Sequence, residues 1–160
     1  MKTASATFSI FRKEFAMNHA THTIPTLLAE CRSIAVVGLS AKSNRPSYEV
    51  AQYMQAHGYR IIPVNPTYAG THILGEHCYS TLTQAAKMLS EEGVAIDMVD
   101  CFRKSEHIMS IVDEAIAIAA RCVWTQLGVV DHEAARKAEA AGLAVVMDKC
   151  LKIEHARYMS

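Results

Sequence analysis

Apolar residues along the chain fall into two alternating patterns. Short runs without polar alternation occur at Ser33–Leu39, Tyr59–Val64, Ala95–Cys101, Cys122–Gln126 and Leu143–Met147. Such runs predict strands buried on both faces, where β-branched side chains pack well on a pleated surface. Between them the apolar positions recur at helical spacing. A short helix is predicted over Ile24–Cys31, with Thr23 at its N-cap and Pro25 in the first turn. A second runs from Ser47 to His57 through Tyr48, Val50, Ala51, Tyr53 and Met54, and Gly58 caps it. Further helices are predicted from about Thr81 to Ser90, from Ser105 onward through Ile108, Ile111, Val112 and Ala115, and from Asp131 to Ala141. Thr67–Ser80 reads as an irregular loop, and the basic tail from Asp148 to Ser160 as partly helical.

Strands alternating with helices imply right-handed crossovers, and so a parallel sheet covered on both faces. The fold class expected is α/β, a Rossmann-like doubly wound, mostly parallel sheet with helices on both faces. Ligands of such sheets bind at the carboxyl ends of the strands. Residues 23–160 read as a single domain, with residues 1–22 as an N-terminal extension. The extension carries Arg12 and Lys13 and could form a short amphipathic helix through Phe8, Ile10, Phe11 and Phe15. Met17 is an alternative start.

Composition narrows the class of partner. The chain has 160 residues, of which 51% are hydrophobic and 20% charged, the profile of a globular domain large enough for a real core. Lys+Arg and Asp+Glu both number 16, so net charge supplies no attraction to nucleic acid or to an anionic membrane. No apolar run approaches the roughly 20 residues of a membrane-spanning helix. Cys31, Cys78, Cys101, Cys122 and Cys150 are odd in number and widely spaced, with no C-x-x-C. That pattern argues against a disulfide framework or a zinc knuckle and for a reducing, cytoplasmic compartment.

Any anion site must therefore come from local clustering, and one candidate stands out. After the first strand come Gly38-Leu39-Ser40-Ala41-Lys42-Ser43-Asn44-Arg45-Pro46, and a helix opens at Ser47. A strand, a tight turn and a helix N-terminus offer free N–H groups and a positive dipole end to a phosphate. Lys42 and Arg45 add charge there. The other strand ends supply Asn65 and Pro66, then Phe102, Arg103 and Lys104, then Thr125, Gln126 and Gly128.

The dinucleotide fingerprint G-x-G-x-x-G is not met, because only Gly38 of the three glycines is present. The acid that holds ribose hydroxyls at the end of strand two is replaced by Asn65, between Pro63 and Pro66. NAD is disfavoured on both counts. Arg45 could serve a 2′-phosphate, which keeps open an NADP-dependent oxidoreductase or a nucleotide-binding regulator using the same crevice. No Walker A loop occurs. Coenzyme A, with a pyrophosphate and a 3′-phosphate, fits the turn together with Lys42, Arg45 and Arg103.

These residues carry a resemblance. Gly38-Leu39-Ser40, Pro63-Val64-Asn65-Pro66, Leu74-Gly75-Glu76, the run from Asp97 to Arg103, Val123-Trp124-Thr125-Gln126-Leu127-Gly128 and Met147-Asp148-Lys149-Cys150 resemble the stand-alone CoA-binding-domain proteins of bacteria. The match spans roughly Ile24 to Arg157 in the same order. The family is similar to the CoA-binding domain of the succinyl-CoA synthetase alpha subunit. The resemblance implies a Rossmann-type fold binding CoA or an acyl-CoA across the strand ends, without a catalytic residue to carry over. It implies phosphate contacts from Gly38, Ser40 and Lys42, a floor of Asn65 and Pro66, and flanking contacts from Phe102 and Arg103. A protein partner or a homodimer is compatible with it.

The remaining chemistry-bearing residues have plainer readings. Trp124 reads as core rather than a stacking platform, and Arg103 could pair with Asp97 or Asp100. His72, His77 and Cys78 form the only metal-like group, at no recognised ligand spacing. Cys150, beside Lys149 and with His155 nearby, could have a lowered thiol pKa, and a nucleophile role would need a base within hydrogen-bond reach.

Overall fold

A computed structural model describes residues 23–159, and the extension with its expected amphipathic helix lies outside the described residues. The expected elements are present. Helix α1 (Ile24–Glu30) precedes β1 (Ser33–Val37), followed by α2 (Pro46–Ala56) and β2 (Arg60–Val64). A 3-10 turn at Pro66–Tyr68 leads into β3 (His72–Ile73) and β4 (Glu76–His77). Then come α3 (Leu82–Glu91), β5 (Met98–Cys101), α4 (Ile108–Ala117), β6 (Cys122–Thr125), α5 (His132–Ala140), β7 (Ala144–Val146) and α6 (Leu151–Met159). No described helix is long and apolar enough to cross a membrane.

The main sheet has the order β2-β1-β5-β6-β7, with every pairing parallel. Side chains alternate between its faces as the pleat requires. Ile34, Val36, Met98 and Trp124 pack against Leu27, Val50, Met54 and Leu151 from α1, α2 and α6. Ala35, Val99, Cys101 and Val123 pack against Leu82, Leu89, Ile108, Val112 and Ala138 from α3, α4 and α5. Both faces are thus dry, which explains why the strands read as continuous apolar runs. Trp124 is fully buried, as expected of core, and its indole N–H donates to the Lys149 carbonyl at 2.8 Å.

Three local expectations are revised. The loop after β2 contains an antiparallel hairpin, β3–β4, that turns at Leu74 and Gly75, both with positive φ. The strand expected from Ala95 begins at Met98 instead. Asp97 there accepts the N–H groups of Arg32 (2.7 Å) and Ser33 (3.3 Å) on its carboxylate, and Ser33 Oγ donates to the Ala95 carbonyl. Side-chain bonds thus replace the ladder at this end. Ser105 does not cap α4: a 3-10 turn, Ser105–His107, intervenes, and Ser105 Oγ accepts the N–H of Val130 at 3.1 Å.

The chain leaves β1 toward the β2 edge and returns to β5 on the other side, so the switch point lies between β1 and β5. The two exits touch. Phe102 N–H donates to the Val37 carbonyl at 2.9 Å, and Gly38 N–H donates to the Val64 carbonyl at 2.8 Å. Gly38 has φ +92°, and a Cβ there would stand 2.4 Å from the Phe102 carbonyl oxygen. No residue with a side chain fits. Gly38→Ala should lower the unfolding free energy by roughly 2–5 kcal/mol, from left-handed backbone and overpacking together. Urea denaturation reads this directly, and an unchanged midpoint would mean that the strand exits part freely.

Candidate functional site

The crevice at the switch point is built by the loop after β1. Leu39 is fully buried and anchors it, while Ser40 donates its N–H to Ser47 Oγ at 3.0 Å. Ser40 Oγ accepts the Lys42 N–H at 3.1 Å, and the Arg45 N–H closes a turn on the Lys42 carbonyl. Arg45 is the N-cap of α2 but supplies no side-chain cap, and Pro46 occupies the first helical turn. The first-turn N–H groups of Ser47 and Tyr48 therefore lack an intrahelical acceptor, at the positive end of the helix dipole.

Asn65 ties this loop to the β2 exit. Its Nδ2 donates to the Leu39 carbonyl at 3.0 Å, and its Oδ1 accepts the Thr67 N–H at 3.0 Å. Gly38, Ser40, Lys42, Arg45, Asn65 and Phe102 together line a chamber of about 390 Å³. Six of the residues singled out from the sequence thus converge there. Phe102, with Arg103 and Gln126, also lines a second chamber of about 750 Å³. The two chambers share Pro46 and Phe102 as their common wall.

Pro66 lines neither chamber. It faces a cavity of about 170 Å³ that also includes Ser80, Arg103 and Glu114. Gln126 is buried and committed to the scaffold: Nε2 donates to Asp100 Oδ1 at 2.5 Å, and Oε1 accepts the Leu151 N–H at 3.4 Å. The sequence did not point to Val50, Leu127, Val129 or Cys150 as lining a crevice, and they complete the apolar wall of the larger chamber. Leu127 and Val129 flank Gly128 just past β6, and apolar residues at a strand exit were the available signal.

Positive charge gathers at the crevice. Among the described residues, four cations elsewhere meet carboxylates, Arg60 with Glu76 and Glu92, Arg121 with Glu30, Lys137 with Asp113 and Arg157 with Glu154, while Arg32, Lys87, Arg136, Lys149 and Lys152 are scattered over the surface without an ion pair. Among the described residues, Lys42, Arg45, Arg103 and Lys104 have no ion pair, although all four line the crevice. Neither expected partner serves Arg103. The Asp97 carboxylate takes backbone N–H groups at the far end of β5, and Asp100 is held by Gln126. Cys31, Cys78, Cys101 and Cys122 are buried free thiols, and Cys150 is half-buried in the crevice wall. His72 and His77 stack edge to face, and no group of three or more metal-ligating side chains occurs among the described residues.

This is a doubly wound nucleotide-binding architecture with a cationic crevice at its switch point. The chain belongs to the CoA-binding domain family, whose model matches residues 32–156. It is similar to the uncharacterized protein YneT of Bacillus subtilis, 38% identical over 133 residues that cover 83% of this chain and 92% of that one. A hypothetical protein from Pyrococcus horikoshii OT3 is 35% identical with a TM-score of 0.76, over 86% of this chain and 90% of that one. The Thermus thermophilus protein described as cell-free ID.343 is 32% identical with a TM-score of 0.74, over 83% and 94%.

Beneath the crevice lies a carboxyl group with an incomplete set of partners. Asp100 is fully buried on β5, between Val36 and Trp124 in the ladder, and its Oδ2 has no hydrogen-bond partner. Burial pushes this carboxyl up to about 7, against a smaller opposing effect of the Gln126 hydrogen bond. The native state holds the proton over a range where the unfolded chain has released it. Stability from this group is complete below about pH 4 and is lost as pH rises through about 7. His155 acts in the opposite direction, since burial lowers its pKa and folding then favours the neutral ring as pH rises. Comparing wild type with Asp100→Asn cancels the His155 contribution. Urea unfolding at pH 5, 6, 7 and 8 should show wild type losing stability relative to the variant, and a constant difference would refute the buried proton.

Proposed function

We propose that this protein binds coenzyme A through its phosphates at the carboxyl ends of β1, β2 and β5. The observation that carries the reading is the concentration of four cations without carboxylate partners around an uncapped helix N-terminus at the switch point. A cluster of like charges in a neutral protein is unfavourable by itself and becomes favourable when an anion joins it. Lys42 and Arg45 offer charge-assisted hydrogen bonds to phosphate oxygens, and the first turn of α2 adds N–H donors.

Family membership supports a nucleotide or CoA ligand, and the two-chamber shape favours CoA over a nicotinamide dinucleotide. A CoA molecule has one strongly anionic half and one uncharged arm. The smaller chamber suits the first, and the larger, lined by Phe102, Val50, Leu127 and Val129, suits the second. Asn65 stands where a dinucleotide site would hold an acid to bind the ribose hydroxyls, and its amide is already bonded to Leu39 and Thr67.

Calorimetry with CoA, NAD, NADP and ATP tests the assignment. CoA should bind most tightly, and binding of NADP without binding of CoA would overturn it. The double variant Lys42→Ala with Arg45→Ala should weaken CoA by roughly 1–3 kcal/mol, the range for losing charge-assisted contacts. Unchanged affinity would mean that the phosphates sit elsewhere.

A further inference from the structure

One sulfur atom in the wall of the larger chamber is placed unlike the other four. Cys31, Cys78, Cys101 and Cys122 are fully buried, and burial raises the pKa of each, that of Cys31 to about 12. Thiols held protonated and out of reach of solvent are poor nucleophiles. Cys150 is half-buried and is the cysteine that lines the crevice. Bonds to the β6 exit fix its backbone from both sides. The Asp148 N–H donates to Thr125 Oγ1, the Lys149 N–H to the Thr125 carbonyl and the Leu151 N–H to Gln126 Oε1. The Cys150 carbonyl accepts the Glu154 N–H at 3.0 Å as α6 begins. Two features of the same wall, independent of the thiol, point to an occupant. Arg103 and Lys104 line it without an ion pair. Beneath it, fully buried Asp100 leaves Oδ2 without a partner, while its Oδ1 holds the amide of Gln126, itself part of the wall.

We propose that Cys150 is a thiol–disulfide exchange site for the ligand itself, forming a mixed disulfide with the sulfur that ends the arm of coenzyme A. This rests on the phosphate reading above. Phosphates held in the smaller chamber and an arm passing Phe102 bring the terminal sulfur into the chamber that Cys150 lines. The co-reactant is the symmetrical disulfide of coenzyme A. The Cys150 thiolate attacks one of its two sulfurs, and the new Sγ–S bond forms as the S–S bond of the reagent breaks. The departing CoA leaves with the electron pair and takes up the proton that Cys150 gave up. Cys150 is oxidised and the departing sulfur reduced, so the exchange needs no other oxidant. The other four cysteines are fully buried, so none is placed to resolve the product. The mixed disulfide therefore persists until an external thiol reduces it, and the site records the redox state of its ligand.

The experiment incubates the full chain, without reductant, with CoA disulfide or with glutathione disulfide and follows intact mass over time. With CoA disulfide the protein should gain the mass of one CoA less two hydrogens. Peptide mapping should place the adduct on Cys150, dithiothreitol should remove it, and Cys150→Ser should form none. Glutathione disulfide, which lacks the nucleotide half, should react about tenfold more slowly. Lys42→Ala with Arg45→Ala should slow the CoA reaction by about the same factor and leave the glutathione reaction unchanged. An adduct on another cysteine, equal rates with the two disulfides, or no adduct on a protein that binds CoA in calorimetry would overturn the exchange site and leave the phosphate reading standing. Failure of CoA to bind in calorimetry would overturn the phosphate reading, and this inference with it.

Discussion

The contact on which the rest of the molecule depends is the approach of Gly38 to the carbonyl of Phe102. It exists because one position has no side chain and a positive φ. Through it the exits of β1 and β5 stay together just where the chain reverses direction across the sheet. Hydrogen bonds from Phe102 to Val37 and from Gly38 to Val64 extend the same join to β2. With three strand ends fixed, the crevice has a rigid floor, and Phe102 and Pro46 divide it into a cationic and an apolar chamber. A bulkier residue at 38 would disturb the wall that both chambers share.

Electrostatics follows from how charge is allotted rather than from how much there is. The chain is neutral overall, with 16 residues of each sign. Exposed ion pairs contribute little to stability, so where unpaired charges gather matters more than how many pairs there are. At the crevice four cations without an ion pair, Lys42, Arg45, Arg103 and Lys104, line one connected space. These four are exposed to water, which screens their mutual repulsion and makes the arrangement tolerable without a ligand. Asp100 is the contrasting case. It is a carboxyl close in sequence to two of those cations, yet it is buried among apolar neighbours, and burial raises its pKa to about 7, so below neutral pH it is held protonated and does not neutralise them.

Much of this was legible in the residues. Both sheet faces are dry, so the five main strands appear as unbroken apolar runs, and the helices between them announce themselves by period. The loop from Gly38 to Pro46 was recognisable because its residue types suit a turn, a charge cluster and a helix start at once. What stayed hidden depended on distant side chains. The carboxylate of Asp97 shortens β5 by bonding residues more than sixty positions earlier, and Ser105 turns from its own helix to Val130. The β3–β4 turn passes through Leu74, a residue type that does not advertise positive φ. Gln126 lines the larger chamber as its strand-end position suggests, but that its amide also braces Asp100 and the start of α6 was not legible. The apolar chamber was missed because Val50, Leu127 and Cys150 come from three separate segments, and only folding brings them together.

Asn65 shows how scaffold and selectivity can be carried by the same atoms. Its Nδ2 donates to the Leu39 carbonyl, which holds the phosphate-loop candidate against β2. A carboxylate at this position could accept from Thr67, but it could not donate to Leu39, so two acceptors would face each other across the loop. It would also place a negative charge in the chamber lined by Lys42 and Arg45 and cancel part of their field. A ribose-binding acid would therefore weaken the loop's anchor and the chamber's attraction for phosphate together. On this sheet the neutral amide is the residue consistent with both a fixed loop and an uncompensated positive crevice. That coupling is a physical reason for this sheet to carry an amide where dinucleotide sites carry the ribose-binding acid.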